Sequence, residues 1–342
     1  MAEANPSSVT FAEIDELIAS KAAPGCSVAL DESGSVEMRS FGNIAGPDSQ
    51  EVNERTVYDL ASVSKLFTTA LILRLHEAGR LSIDDRCADY LPHFQGSDLT
   101  LLDLLTHRVD FGIYLADLRR EHSDGAELLN ALMLIQPPQH AAPDIHYGNL
   151  GFIYLGKVVE KVSGADLATN MKALFSDLNL TETYTGQDVA SEAIVTPPTE
   201  IVDGQTIQGV THDETARALD GLAGNAGVFA TAADLARFGR AWLDGGVVSQ
   251  QLLHDVVLRN YDQSDLLPQA IGWWMRYAGP DGLHNLDDAY SHTGFTGSML
   301  IISPTSDRVA AVTCNRTYLG RENMRQTEVW ASIVRWAQHS EH

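Results

Sequence analysis

The chain has 342 residues, 44% of them hydrophobic, enough to bury one large core or two interleaved ones. Its 46 acidic residues against 23 basic ones give a formal net charge of −23, which argues against nucleic acid and anionic membrane surfaces as partners, because both select for basic patches. No run of eighteen apolar residues marks a transmembrane helix, and residues 1–8 lack the basic start and apolar stretch of a secretory signal, so a cytoplasmic protein is expected.

Residues 11–22 have the spacing of an amphipathic helix, with Phe11, Ile14, Leu17 and Ile18 on one face and Pro24-Gly25 as its break. Residues 26–30 and 36–41 read as the strands of a hairpin around Asp31-Glu32-Ser33-Gly34. An apolar helix starts at Ser62, carries Leu66, Phe67, Ala70, Leu71, Leu73 and Leu75, and closes at Ala78-Gly79. Helical patterns follow at 101–105, 125–134 and 150–162, punctuated by Pro137-Pro138 and Pro197-Pro198. A short strand at 227–230 leads into Thr231-Ala232-Ala233-Asp234, a capping-box start for a helix through Leu243. Residues 271–277, 298–303 and 308–314 read as strands, and 323–338 as a closing helix with Val329, Trp330, Ile333 and Val334 inward. Strands near both ends with helices between predict an α+β fold: one sheet built from both termini, with a mainly helical region inserted. Cys26, Cys87 and Cys314 are far apart and lack metal-ligand spacing, so reduced, buried thiols are expected.

The chemistry concentrates first in Ser62-Val63-Ser64-Lys65. Residues three apart share a helical face, so the Lys65 amine can reach back to the Ser62 hydroxyl. A serine hydroxyl becomes nucleophilic when a neighbouring base takes its proton, and a desolvated lysine can be that base. The S-x-x-K pairing is a nucleophile motif of serine acyl enzymes. On four letters alone, an N-cap serine followed by a solvated lysine fits equally well. The apolar helix beyond favours the functional reading, because a lysine in the first turn of a buried helix is costly without a role. The chain has five lysines, and Lys65 alone has a serine three residues before it.

Two later motifs join it: Tyr147-Gly148-Asn149, opening another apolar helix, and Ser291-His292-Thr293-Gly294-Phe295-Thr296-Gly297, a small-residue strand edge. In isolation the first reads as a turn tyrosine beside a capping asparagine, and the second as a bulged strand. In order and spacing, S-x-x-K, Y-x-N and H-T-G resemble the penicillin-recognising serine enzymes. The resemblance is closest to class C β-lactamases and their relatives among esterases and D-amino-acid peptidases. Tyr58-Asp59-Leu60-Ala61-Ser62, Leu104-Leu105-Thr106-His107 and the run from Gly221 to Thr231 also match, so the likeness covers roughly residues 20 to 316.

That resemblance implies a β-lactamase/transpeptidase-like fold, with a sheet domain from residues 1–60 and 225–342, a helical domain from 61–224, and the active site between them. It implies Ser62 as the nucleophile, Lys65 and Tyr147 as a coupled proton-transfer pair, and Asn149 as a hydrogen-bonding partner of the lysine or of a substrate amide. His292, Thr293, Gly294 and Phe295 would line the cleft, with the Ser62 and Phe295 N–H groups as oxyanion hole. Class C β-lactamases carry lysine at the first position of K-T-G; His292 stands there in this chain and is expected to be only partly charged near neutrality. The substitution weakens the case for carboxylated β-lactams and shifts the expectation toward an esterase, amidase or peptidase acting on small esters or amides, with slow β-lactam turnover. An acyltransferase on the same site and a non-catalytic binding protein keeping the fold are the alternatives.

Other features carry less. His107 reads as a helix-terminal structural histidine, and Thr211-His212-Asp213-Glu214 as a loop with no catalytic role; with no second His or Cys cluster to join it, no metal is expected. Trp273 and Trp274 should place one ring in the core and one at the cleft rim, by strand alternation. Tyr114 is a candidate to line an acyl pocket. No phosphate-cradling glycine loop or nucleotide fingerprint occurs, so no cofactor is expected.

Overall fold

The computed structural model describes residues 6–122, 124–192, 194–262 and 267–338. Helix α1 (Pro6–Ala19) precedes the hairpin β1 (Gly25–Glu32) and β2 (Ser35–Gly42). The main helices of the long middle stretch are α2 (Ser64–Glu77), α3 (Leu101–Leu105), α4 (Leu150–Ser163), the short α5 (Glu214–Ala218) and α6 (Ala232–Leu243). Strands β3 (Tyr290–Thr293), β4 (Met299–Ser303) and β5 (Arg308–Cys314) then return to the hairpin, and α7 (Gln326–Gln338) follows. The five strands form one antiparallel sheet in the order β3-β4-β5-β1-β2. The join between the two chain ends is β1 on β5, with Cys26 opposite Cys314 and Glu32 opposite Arg308. The fold is α+β, with one sheet built from both chain ends.

Strand alternation decides what each face meets. Ala29, Leu300, Ile302, Val309 and Ala311 point into the larger core, shared with residues of α2, α4 and α6. Val28, Leu30, Met299, Ile301, Ala310 and Val312 point the other way, against α1 and α7. With both faces covered, all seven residues of β5 are buried, which is why its middle, residues 309–312, is an unbroken apolar run instead of an alternating one. Gly239 of α6 lies so close to the sheet that a methyl group there would strike Val309 and Leu300.

Three elements differ from the sequence expectation. Residues 271–277 do not form one strand. Gly272 takes φ +72°, which breaks extended backbone, and a separate hairpin pairs Arg276–Gly279 with Gly282–Asn285. The helix expected from Ser62 begins at Ser64, after a tight turn over Ala61–Val63. Thr231 caps α6 by accepting the Asp234 N–H at 3.3 Å, but no capping box closes. The Asp234 carboxylate turns instead to the Glu182 N–H at 2.6 Å and the Thr183 hydroxyl at 3.0 Å. The three cysteines are buried and unbridged. Among the described residues no helix is long and apolar enough to cross a membrane.

Candidate active site

Ser62 lies in the turn that feeds α2. The chain enters it sharply: Ala61 has φ +46°, a left-handed conformation that costs a non-glycine residue about 1–2 kcal/mol. Asp59 holds that turn in place. Its Oδ1 accepts the Ala61 N–H at 2.7 Å, its Oδ2 the His212 N–H at 2.7 Å, and its main-chain oxygen the Thr296 hydroxyl at 2.8 Å. One buried residue thus ties together the segment before Ser62, the segment before Asp213 and the turn after Phe295. Burial pushes the Asp59 carboxyl up from its ordinary value, and the two N–H donors only partly offset this.

Lys65 stands one turn beyond Ser62 and is completely buried. Its Nζ donates to Ser62 Oγ at 2.9 Å, to the Tyr147 hydroxyl at 3.0 Å and to Asn149 Oδ1 at 2.9 Å. Three donors meet three acceptors, so the ammonium is satisfied without water. The Tyr147 and Phe152 rings lie 4.9 and 5.8 Å from Nζ and add cation–π attraction. Asn149 occupies the N-cap position of α4 but makes no capping bond. Its amide is used on Lys65 and, through Nδ2, on Asp213 Oδ2 at 3.2 Å. The structure therefore brings three of the sequence-predicted residues onto the Lys65 nitrogen, and the cap-and-solvated-charge alternative is excluded.

The end of β3 closes the opposite side. Gly294 approaches the Leu60 carbonyl so closely that any side chain would collide with it. Gly294 N–H bonds to the Ser298 oxygen at 2.7 Å and Gly297 N–H back to Gly294 at 2.9 Å, fixing the turn that presents Phe295. Arg316 Nε binds the Phe295 carbonyl at 2.9 Å. The Phe295 N–H has no hydrogen-bond partner among the described residues. A free donor on a peptide held from its other end is what an oxyanion hole requires.

The family model for Beta-lactamase matches residues 12–335. The chain belongs to the beta-lactamase family. As a member of that family it is a serine hydrolase. It is 26% identical over 312 residues to N-acetylmuramyl-L-alanine amidase of Bacillus subtilis (strain 168), spanning 78% of this chain and 70% of that one. Penicillin-binding protein 4 of Amycolatopsis lactamdurans is 28% identical over 321 residues, covering 85% of this chain and 81% of the relative. Among solved structures, a class C beta-lactamase superposes over 100% of this chain and 99% of its own with a TM-score of 0.75 at 18% identity.

In this beta-lactamase-family chain the cleft beside Ser62 encloses about 640 Å³ and is walled by Tyr147, Asp213, Trp274, Arg276 and Phe295. Thr293 and Gly294 line it as well, whereas the His292 side chain is buried behind the wall. Burial, with Lys65 and Arg276 adding repulsion, lowers His292 to about 3 against one opposing bond to the Thr293 oxygen. His292 is therefore neutral near pH 7, and the partial charge expected from its sequence position is corrected. A charge is supplied elsewhere: the Arg276 guanidinium stacks 3.8 Å over the Trp274 ring, and burial brings it down only to about 10. Trp273 is in the core edge-on to Trp242, and Trp274 is at the cleft, although no regular strand carries them.

His107 is more central than a helix-end residue. Its ring lies 4.6 Å from that of Tyr147 and stacks parallel to Trp274 at 5.8 Å. Desolvation first, then Lys65, His292 and Arg276, hold it well below its ordinary value and neutral. Tyr114 does not join the cleft; it is 81% exposed at the start of a separate helix. Asp213, in a segment read as a plain loop, reaches the Lys65 network. Its one signal in the sequence is an acid immediately before a short helix.

Proposed function

We propose that this hydrolase cleaves small esters or amides through an acyl-enzyme on Ser62. The observation that carries the reading is the buried Lys65 Nζ in simultaneous contact with Ser62 Oγ, the Tyr147 hydroxyl and Asn149 Oδ1. Lysine in its neutral form takes the Ser62 proton directly or through Tyr147 as Oγ attacks the substrate carbonyl carbon. The carbonyl π electrons move to oxygen, and the N–H groups of Ser62 and Phe295 hold that oxyanion; losing one such donor typically costs about 3–4 kcal/mol of transition-state stabilisation. Collapse breaks the bond to the alcohol or amine, which leaves with the proton from Tyr147. Water then attacks the acyl-enzyme, giving its proton back to the pair, and Ser62 leaves reprotonated.

Amide substrates draw support from the relatives, whose names include an amidase and putative D-alanyl-D-alanine carboxypeptidases. Arg276 supplies a cation that suits substrates bearing a carboxylate. The test is mass spectrometry of the protein after incubation with a fluorophosphonate or an activated ester. A single adduct on Ser62, absent in Ser62→Ala, is expected; an unmodified protein or an adduct elsewhere overturns the reading. A panel of p-nitrophenyl esters, a chromogenic β-lactam and D-amino-acid amides then orders the substrate classes.

A further inference from the structure

The two ends of the Asn149 amide are not interchangeable in this cleft. Oδ1 takes a Lys65 N–H at 2.9 Å, and Nδ2 donates to Asp213 Oδ2 at 3.2 Å. Asp213 is itself fixed from both sides. It N-caps α5, with Oδ1 accepting the Ala216 N–H at 2.8 Å, and the peptide just before it is anchored to Asp59 through the His212 N–H. A carboxylate only accepts hydrogen bonds, so turning the Asn149 amide round would set Oδ1 against the Asp213 oxygens. This matters for the lysine. A neutral amine has two N–H bonds and one lone pair, and an amide free to turn would offer Nδ2 to that lone pair and occupy it. With the amide locked, one Lys65 N–H stays committed to Asn149 and the lone pair has only Ser62 and Tyr147 to face.

We propose that Asp213 is a positioning residue for the acylation step: it locks the Asn149 amide so that the Lys65 lone pair is directed at Ser62 and Tyr147. The inference rests on the reading of Ser62 as nucleophile. Asp213 also brings a negative charge to the lysine's side of the cleft, whereas His107 and His292, which lie beside the same network, are held neutral by burial. Around Asp213 stand His212, Asp59, whose oxygens are taken by backbone N–H groups, and Glu214, which is paired with Arg321 at 2.6 Å and Arg119 at 3.6 Å.

The experiment follows the rate of Ser62 labelling by a fluorophosphonate from about pH 5 to 10 in the wild type, Asp213→Asn and Asp213→Ser. Asparagine keeps the shape but removes the charge and frees the amide. Serine keeps a helix cap but is too short to reach Asn149. Both variants are expected to label about 100-fold more slowly, with the acid limb of the profile moved down by roughly half to one pH unit. Wild-type rates in both variants would mean that Asp213 merely caps α5, and a slower rate with an unmoved limb would mean a structural role; either overturns the proposal. A wild type that is not labelled at Ser62 fails differently, removing the nucleophile reading and this inference with it.

Discussion

Lys65 Nζ stands 3.0 Å from the Tyr147 hydroxyl, yet the lysine has no exposed surface while the tyrosine is 45% exposed. One member of the pair is sealed from water and the other opens onto the cleft. A proton taken from Ser62 has a route out through the phenol, and under the proposed mechanism Tyr147 is the member that protonates a leaving group and activates the deacylating water. Tyr147→Phe is expected to lower turnover by about 10²–10⁴-fold. With a p-nitrophenyl ester, whose leaving group needs no proton, deacylation should suffer more than acylation. Stopped-flow kinetics should then show a burst, and intact-mass spectra an accumulated acyl-enzyme; a steady state without adduct would argue against this division of labour.

The Asp59 clamp makes a separate prediction about stability. Removing its carboxylate in Asp59→Ala leaves the buried Ala61 and His212 N–H groups without acceptors and releases the strained Ala61 turn. Each orphaned donor costs about 1–3 kcal/mol, so a loss of about 2–6 kcal/mol in urea unfolding is expected, together with slower Ser62 labelling. A variant as stable as the wild type would show that water replaces the carboxylate without cost.

How much of this was legible in the chain depends on the range of the interaction. Ser62 and Lys65 are local, one helical turn apart, and the β1–β2 hairpin and the buried run of β5 follow from short-range pattern. Asn149 sits at a helix start, so its letter alone predicts a cap; only the approach of Lys65 from another helix turns its side chain away. Asp213, Asp59 and His107 escaped for the same reason. Their roles are fixed by partners far away in sequence, and nothing in Thr211-His212-Asp213-Glu214 reports that a lysine network lies beside it. The charge expected at position 292 failed because burial, which spacing does not show, decides histidine protonation. The strand expected over 271–277 failed on a single backbone angle at Gly272.

Acid stability should report that burial. His292 titrates near 6.5 in the unfolded chain and at about 3 in the folded one, and His107 is lowered in the same sense. Below pH 6.5 the unfolded chain therefore binds protons that the native state refuses. The stabilising contribution is complete above about 6.5 and is lost as pH falls toward 3, at up to about 1.4 kcal/mol per pH unit for each histidine. Urea midpoints measured from pH 8 down to about 4 should fall steadily below 6.5. His292→Asn should have a shallower decline, whatever its stability at pH 8. An unchanged slope in this variant would place the proton uptake on other groups.

The proposed preference for carboxylate-bearing substrates turns on Arg276, which lines the cleft. Its guanidinium lies over the Trp274 ring, donates to the Pro268 carbonyl at 3.1 Å, and forms no ion pair among the described residues, although Asp262 attracts it from farther away. Burial lowers its affinity for a proton without discharging it, so at neutral pH the cleft holds a desolvated cation that a substrate carboxylate can pair with. With His292 neutral, this is the cation on which the proposed pairing with a substrate carboxylate relies. Arg276→Ala should raise KM for a D-amino-acid peptide with a free carboxylate by about 10- to 100-fold, the worth of one charge-assisted hydrogen bond, and leave KM for a neutral p-nitrophenyl ester within about twofold. Arg276→Lys, which keeps the charge but not the planar stack, should fall between them. Equal losses on charged and neutral substrates would reduce Arg276 to a packing residue for Trp274 and return the enzyme's preference to uncharged esters.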